Sequence, residues 1–476
     1  VTDDAQRLPW SARLRISVRR GPLALPGFRY LSAGQLTSTV GDYCYAVALP
    51  WLILSGHGGT VMLGTVLACY GVPRTILIPA GGVLTDRLNP RRMMLIADAC
   101  RCILVAFLAV LAARHTDSLA MLAPIAALLG AGEGVFLPAS FSIMPSLVPA
   151  DQLAAGNALS TAMIQIGSLA GPVLGGLLVA TSGPAPAFAV DSASFAISAC
   201  ALALIRPRQP AGPAAATKPA AATEPAGGQE TAAGPGLGQP ANPSPARSAQ
   251  PAQPAQPAQP AQPAQPASDE PAPLTIRRLL RQSRLLKIIL VVVVVANFTS
   301  GGTFEVAMPA LAHARWGASG YGALVACFGA GAVAGTLAGA RMAAFRRPSL
   351  AAYGAFLVEA AAIALLPFLG GIAGAAAAIA VAGVCNGFGN ILIITLIQQW
   401  APPRLLGRVM GLIMLAGIGS FPVSVAIAGL LVRHLHPPPF FPVAGVVLIL
   451  AVLGALSQRQ TRELGQADQS PGLAAD

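Results

Sequence analysis

The sequence predicts an all-α integral membrane protein with twelve transmembrane helices in two pseudo-symmetric six-helix halves. Three observations carry this reading. Of 476 residues, 54% are hydrophobic and only 10% are charged, against about 25% charged in soluble domains. Six long apolar segments precede a Pro/Ala/Gln-rich stretch and six follow it; each reaches the roughly 20 residues that cross a bilayer. Arginines collect in every second loop.

Residues 1–27 read as a polar, basic N-terminal segment on the cytoplasmic side. They lack the apolar core of a cleavable signal peptide, so the first span is expected to act as an uncleaved membrane signal. The first half, 28–206, should place spans at roughly 28–54, 60–83, 93–113, 118–140, 153–181 and 185–205. Residues 207–276 are low complexity, and Gln250 to Ala267 repeats Ala-Gln-Pro almost without interruption. Such a stretch buries no core and is expected to be a disordered cytoplasmic linker; a ligand for a proline-recognising domain is the weaker reading. The second half, 277–457, should place spans at roughly 285–311, 319–341, 349–370, 373–398, 407–432 and 437–457, with a cytoplasmic tail at 458–476.

The net charge of +12 would suggest a nucleic-acid partner in a soluble chain, but its distribution argues against one. Arg13, Arg19 and Arg20 precede the first span, Arg87, Arg91 and Arg92 follow the second, and Arg277, Arg278 and Arg281 precede the seventh. The alternate loops hold only Arg114, Arg315 and Arg433. The positive-inside rule then puts both termini and the linker in the cytoplasm of a multi-pass protein of the inner (plasma) membrane. Seven scattered cysteines without paired spacing predict neither a disulfide framework nor a zinc site. His434 and His436 read as solvated, and neither a metal nor a cofactor is expected.

The halves resemble each other. Pro149 to Leu159 and Pro402 to Leu412 match in proline, two leucines and a small residue at one constant offset, which also sets Gly82 on Gly335. Repeated halves are a transporter signature, with the substrate site between them.

The loop between spans two and three runs Gly82-Val83-Leu84-Thr85-Asp86-Arg87-Leu88-Asn89-Pro90-Arg91-Arg92. It resembles motif A of the major facilitator superfamily, through Gly82, Asp86, Arg87, Arg91 and Arg92. Asn89 replaces the loop glycine and is expected to keep the turn by tolerating left-handed dihedrals. Asp86 is expected to accept hydrogen bonds at the positive end of span eleven, near Gly407, latching one access state. Asp98 and Arg101, three apart on span three, are expected to pair and support that latch. Span five carries Gly167, Gly171, Pro172, Gly175 and Gly176, which resembles the superfamily's motif C of export-type antiporters. Its small residues suit close helix packing, and Gly331, Gly335 and Gly339 of span eight offer a facing surface. Gly34-Gln35, Gly132 to Ala139, Phe188 to Asp191 and Gly407 to Gly411 resemble the twelve-span drug:proton antiporter branch, which includes macrolide-efflux and enterobactin-exporter-type proteins.

Ionisable groups inside spans are functional candidates by default. Asp42, Glu133, Asp191 and Glu305 come from spans one, four, six and seven. The resemblance implies that spans one, four and seven line the cavity, so these acids are the expected proton-coupling residues, with Asp42 and Glu133 foremost. Glu359 in span nine reads as peripheral, and Arg74 is open to two readings, a partner for Asp42 or another acid, or a side chain that snorkels. Gln35, Asn386 and Asn390 are the expected substrate-binding groups. The resemblance thus implies a monomeric, proton-coupled efflux antiporter for a small amphipathic compound such as an antibiotic, secondary metabolite or siderophore, with protons, that compound and the lipid bilayer as its partners. The alternatives are a proton-coupled uptake symporter and a non-transporting membrane scaffold or sensor. No catalytic His/Asp cluster and no P-loop point to an enzyme.

Overall fold

The computed structural model describes residues 21–56, 58–205, 280, 283–341, 347–402 and 404–464. The expected linker, most of the N-terminal segment and most of the tail lie outside the described residues. Among the described residues every long element is a helix. The first half comprises α1 (Pro26–Ser55), α2 (Gly59–Arg87), α3 (Pro90–Ala113), α4 (Leu119–Leu147), α5 (Leu153–Ser182) and α6 (Pro184–Leu204). The second comprises α7 (Arg284–Arg315), α8 (Gly317–Arg341), α9 (Pro348–Leu365), α10 (Gly371–Trp400), α11 (Leu406–Leu435) and α12 (Pro437–Leu456). Eleven of the twelve are long and apolar enough to cross a membrane. The other, α1, has 30 residues, and Arg29, Gln35 and Asp42 dilute its apolar character. Leu153 and Leu406 open α5 and α11, and Pro184 and Pro437 open α6 and α12, at the same interval as Pro149 and Pro402.

Local chemistry sets the element ends. Proline opens α1, α3, α6, α9 and α12, where its missing N–H costs nothing. Within α7, Pro309 has no N–H for the carbonyl of Glu305, and the helix widens into a π turn over Thr303–Ala307. Asn89 departs from its expected role. Its φ is −70°, and its side chain caps α3 by accepting from the Arg91 N–H at 3.0 Å. A helix start, not a left-handed turn, explains the residue.

The halves meet at one end and part at the other. At the end carrying the α1–α2 and α7–α8 turns, Ser55 Oγ lies 3.2 Å from His313 Nε2. Thr60 Oγ1 donates to the Gly429 carbonyl at 3.0 Å, and a single core joins Val47, Leu63 and Phe188 to Met308, Val425 and Phe441. At the opposite end each half closes its own core, one around Phe28, Met94 and Ile143, the other around Leu286, Tyr353 and Val409. A Cβ at Gly82, Gly407 or Gly411 would meet nothing within 4 Å. The end that carries the arginine-rich loop is therefore open.

The glycine-rich segment of α5 packs mainly inside its own half. A Cβ at Gly171 would fall 2.5 Å from Tyr43 Cβ, and one at Gly175 would fall 2.8 Å from Cys44 Cα, so α5 can approach α1 only without side chains there. Gly176 faces the other half, where it meets Gly322 of α8. The expected facing surface on α8 is not used that way. Gly331, Gly335 and Gly339 pack against Val384, Phe388 and Ile391 of α10, because α10 presents its own small residues, Gly383 and Gly387, to α8.

Candidate functional site

Six helices bring one charged side chain each to one cavity of 530 Å³: Asp42 (α1), Arg74 (α2), Arg101 (α3), Glu133 (α4), Asp191 (α6) and Glu305 (α7). Arg74 Nη2 lies 3.0 Å from Glu133 Oε1. Arg101 Nη2 is 3.5 Å from Asp42 Oδ1 and 4.0 Å from Glu133 Oε2, and its Nη1 is 3.8 Å from Asp98 Oδ1. The guanidinium carbon sits 4.4 Å from the Phe195 ring centre and 5.6 Å from that of Phe136. Charge and aromatic faces together hold it in place.

Asp98 is fully buried, and Ser198 Oγ donates to its Oδ2 at 2.6 Å. The expected Asp98–Arg101 pair is present, but it joins α3 to α6 and to the cavity, since Arg101 is a lining residue. Asp191 is 1% exposed, and Ser194 Oγ lies 3.4 Å from its Oδ1. Gly41 makes room for both: a Cβ there would stand 2.5 Å from Asp191 Oδ1. Glu305 sits in the π turn of α7, which carries a second-half carboxyl to the first-half cluster.

Phe136, Phe195 and Ser198 escaped the sequence reading. A signal existed: Asp191, Phe195 and Ser198 share one face of α6 at helical spacing, and Phe136 lies one turn beyond Glu133 on α4.

Gln35 lines the same cavity, and its Oε1 is buried without a hydrogen bond. Asn386 and Asn390 do not reach it. They line a second cavity of 320 Å³ within the second half, with Glu359. A third, of 240 Å³, shares Arg74, Glu305 and Phe421 with the first and Asn297, Ser300 and Phe304 with the second.

The arginine-rich loop divides by residue. Arg91 donates from Nε to the Leu202 carbonyl at 2.7 Å and from Nη2 to that of Ala203 at 2.5 Å, which caps the C-terminal end of α6. Arg87 and Arg92 are exposed. The Asp86 side chain lies outside the described residues, and so does the latch it was expected to make. Gly82 and Gly407 stand in open space.

The family model described as Major Facilitator Superfamily matches residues 31–417 and 290–471. The chain belongs to this superfamily. Superfamily membership agrees with the helical architecture and makes the chain a multi-pass membrane protein of transporter type rather than an enzyme. Among curated relatives, the multidrug efflux pump Tap of Mycolicibacterium fortuitum is 30% identical over 197 residues, 40% of this chain and 46% of that protein. The enterobactin exporter EntS of Salmonella paratyphi A is 29% identical over 192 residues, 40% and 45% of the two chains. The chain thus spans about half the length of these relatives. An MFS-type transporter of Sinorhizobium fredii, y4rN, matches at 25% over 442 residues, 91% of this chain and 95% of that one. Solved structures share the superfamily's fold. A POT family transporter in complex with 5-aminolevulinic acid gives a TM-score of 0.65 at 10% identity, over 93% of this chain and 97% of that one. A bacterial homologue of the iron transporter ferroportin gives 0.60 at 14%, over 90% and 98%.

Proposed function

We propose that the chain is a proton-coupled efflux transporter of the inner membrane, monomeric, with both termini cytoplasmic, which exports a small amphipathic compound by alternating access. One observation carries the reading: among the described residues, four carboxyls and two arginines line the central cavity. Two guanidiniums balance two carboxylates. The remaining acids need a proton or a cationic ligand, because bare charge in a membrane interior is costly, about 2.5–3.5 kcal/mol per group on insertion scales. A cavity that must exchange protons against another occupant is the chemical core of an antiporter.

The remaining support is consistent with this. The open end carries the arginine-rich loops, which the positive-inside rule assigns to the cytoplasm, so the cavity faces the compartment from which cargo would be taken. Tap and EntS are named as an efflux pump and an exporter. In this reading Asp42, Glu133, Asp191 and Glu305 carry the coupling protons, and residues 207–276 connect the halves 28–206 and 277–457. Outward release lets protons load the acids; return toward the cytoplasm frees them for cargo. Drive of about 2.3 kcal/mol per charge per 100 mV is available from the membrane potential.

The test is transport by the purified full chain in proteoliposomes under an imposed pH gradient, with drug accumulation in cells beside it. Wild type should export against the gradient of its cargo, and Asp42→Asn and Glu133→Gln should each lose that coupling. Normal export by both variants refutes the assignment. Deletion of residues about 212–270 should leave transport intact; abolition would favour a linker-based scaffold.

A further inference from the structure

The cavity in the second half presents chemistry unlike that of the central one. Its wall is largely apolar and aromatic, including Val292, Phe304, Phe328, Tyr353 and Phe356. The Phe304 and Phe328 rings lie 4.5 Å apart by centroid, and those of Tyr353 and Phe356 lie 6.4 Å apart. Into this wall α9 sets Glu359, which is 2% exposed. Asn386 Nδ2 donates to Glu359 Oε1 at 2.9 Å, and Asn390 Nδ2 donates to Asn386 Oδ1 at 3.0 Å. The two amides form a relay along α10 that fixes the carboxyl from one side.

No ion pair to Glu359 occurs among the described residues, whereas Asp42, Asp98 and Glu133 each have an arginine within 4.0 Å. Asp191 and Glu305 also make no ion pair among the described residues, but they share their cavity with Arg74 and Arg101, whereas among the described residues no arginine lines the cavity of Glu359. A buried carboxyl lacking a cation, beside several ring faces, is the recognition pattern for an organic cation: the carboxylate supplies the charge and the rings supply quadrupoles that favour it. At 320 Å³ the cavity fits a drug-sized fragment rather than a metal ion.

We propose that this second-half cavity is a cargo subsite for lipophilic ammonium-type cations, with Glu359 as the recognising carboxylate and Asn386 and Asn390 as its positioning residues. The inference rests on the transporter reading for its biological meaning, but not on proton coupling. The intervening cavity shares walls with both others, so cargo held at Glu359 stands next to the Glu305–Arg74 end of the acid cluster. The two sites divide the work: the central acid cluster, to which α7 contributes Glu305, handles protons, and the second-half cavity holds cargo.

The test is binding to the purified full-length protein in nanodiscs, with tetraphenylphosphonium as cation and triphenylphosphine oxide as a neutral relative. Wild type should bind the cation, and Glu359→Gln should weaken it by at least about tenfold while changing the neutral compound little. Asp151→Asn, at an exposed acid before α5 that lines none of these cavities, should leave cation binding within about twofold. On wild-type protein, which removes any question of a misfolded variant, the cation should protect Glu359 from dicyclohexylcarbodiimide, read by peptide mass spectrometry. Equal cation binding by Glu359→Gln, equal weakening of both probes, or absence of protection overturns the assignment. These readouts need no transport, so a failure of proton-driven export would leave them standing, and their failure would leave the export assay unaffected.

Discussion

Arg101 of α3 stands 3.5 Å from Asp42 of α1, and the same guanidinium also reaches toward Asp98 and Glu133. One cation thus serves carboxyls from three helices, with its own side chain only 8% exposed. Removing it leaves several acids to share Arg74. Arg101→Ala should therefore destabilise the protein by about 3–5 kcal/mol, the cost of orphaning a buried charge. Asp42→Asn with Arg101→Gln should cost less than the sum of the single changes, with a coupling energy of about 0.5–3 kcal/mol. A double-mutant cycle on thermal unfolding in detergent checks this, and strict additivity would show that the two side chains do not interact.

The α5–α1 contact gives a second expectation, free of charge effects. Gly171→Ala puts a methyl group 2.5 Å from Tyr43 Cβ and should cost about 1–3 kcal/mol by overpacking. Gly354→Ala on α9 meets nothing within 4 Å and should be neutral, or stabilising by up to about 1 kcal/mol, through helix propensity. Melting curves of the two variants side by side decide the matter; similar shifts would mean that α5 can slide away from α1 without penalty.

Asn89 offers a third. As the N-cap of α3 it should lose about 0.5–2 kcal/mol on change to Ala and only a few tenths on change to Gly. A turn that needed a left-handed residue would gain from Gly instead. A rise in melting temperature for Asn89→Gly would restore the turn explanation.

The junction at Ser55 and His313 provides the fourth. Cysteines at these positions, on a background lacking the native ones, should react with a short bifunctional thiol reagent in this conformation, where the two side chains are 3.2 Å apart. Once bridged, the halves cannot part at that end, and transport should stop. Gly82→Cys and Gly411→Cys, which stand in open space, should bridge only when the opposite end closes. Full transport by a completely bridged Ser55→Cys/His313→Cys protein would exclude opening at that end.

Much of the fold was legible. The expected spans at about 153–181 and 437–457 meet helices at Leu153–Ser182 and Pro437–Leu456, because a run of roughly 20 apolar residues has few alternatives in lipid. The repeat at Pro149 and Pro402 carried over to the openings of α5 and α11. The acids on α1, α4, α6 and α7 were legible as candidates, since charge inside a span is itself the signal, and the structure does bring them to one cavity. Partnering was not legible. Arg74 chose Glu133 over Asp42, Gly331 to Gly339 chose α10 over α5, and Glu359 turned from a peripheral acid into the polar centre of a cavity.

Hydrophobic length, the placement of arginines and the doubled pattern are properties of contiguous chain, so the sequence by itself determined a twelve-helix membrane protein in two related halves with acids in its interior. Which helix faces which, which arginine meets which acid, and which end of the bundle is shut depend on residues hundreds of positions apart. Gly64 and Gly429, or Ser55 and His313, become neighbours only when the halves dock. Only the tertiary structure could decide those, because close packing is a property of two surfaces and neither surface carries its partner's address.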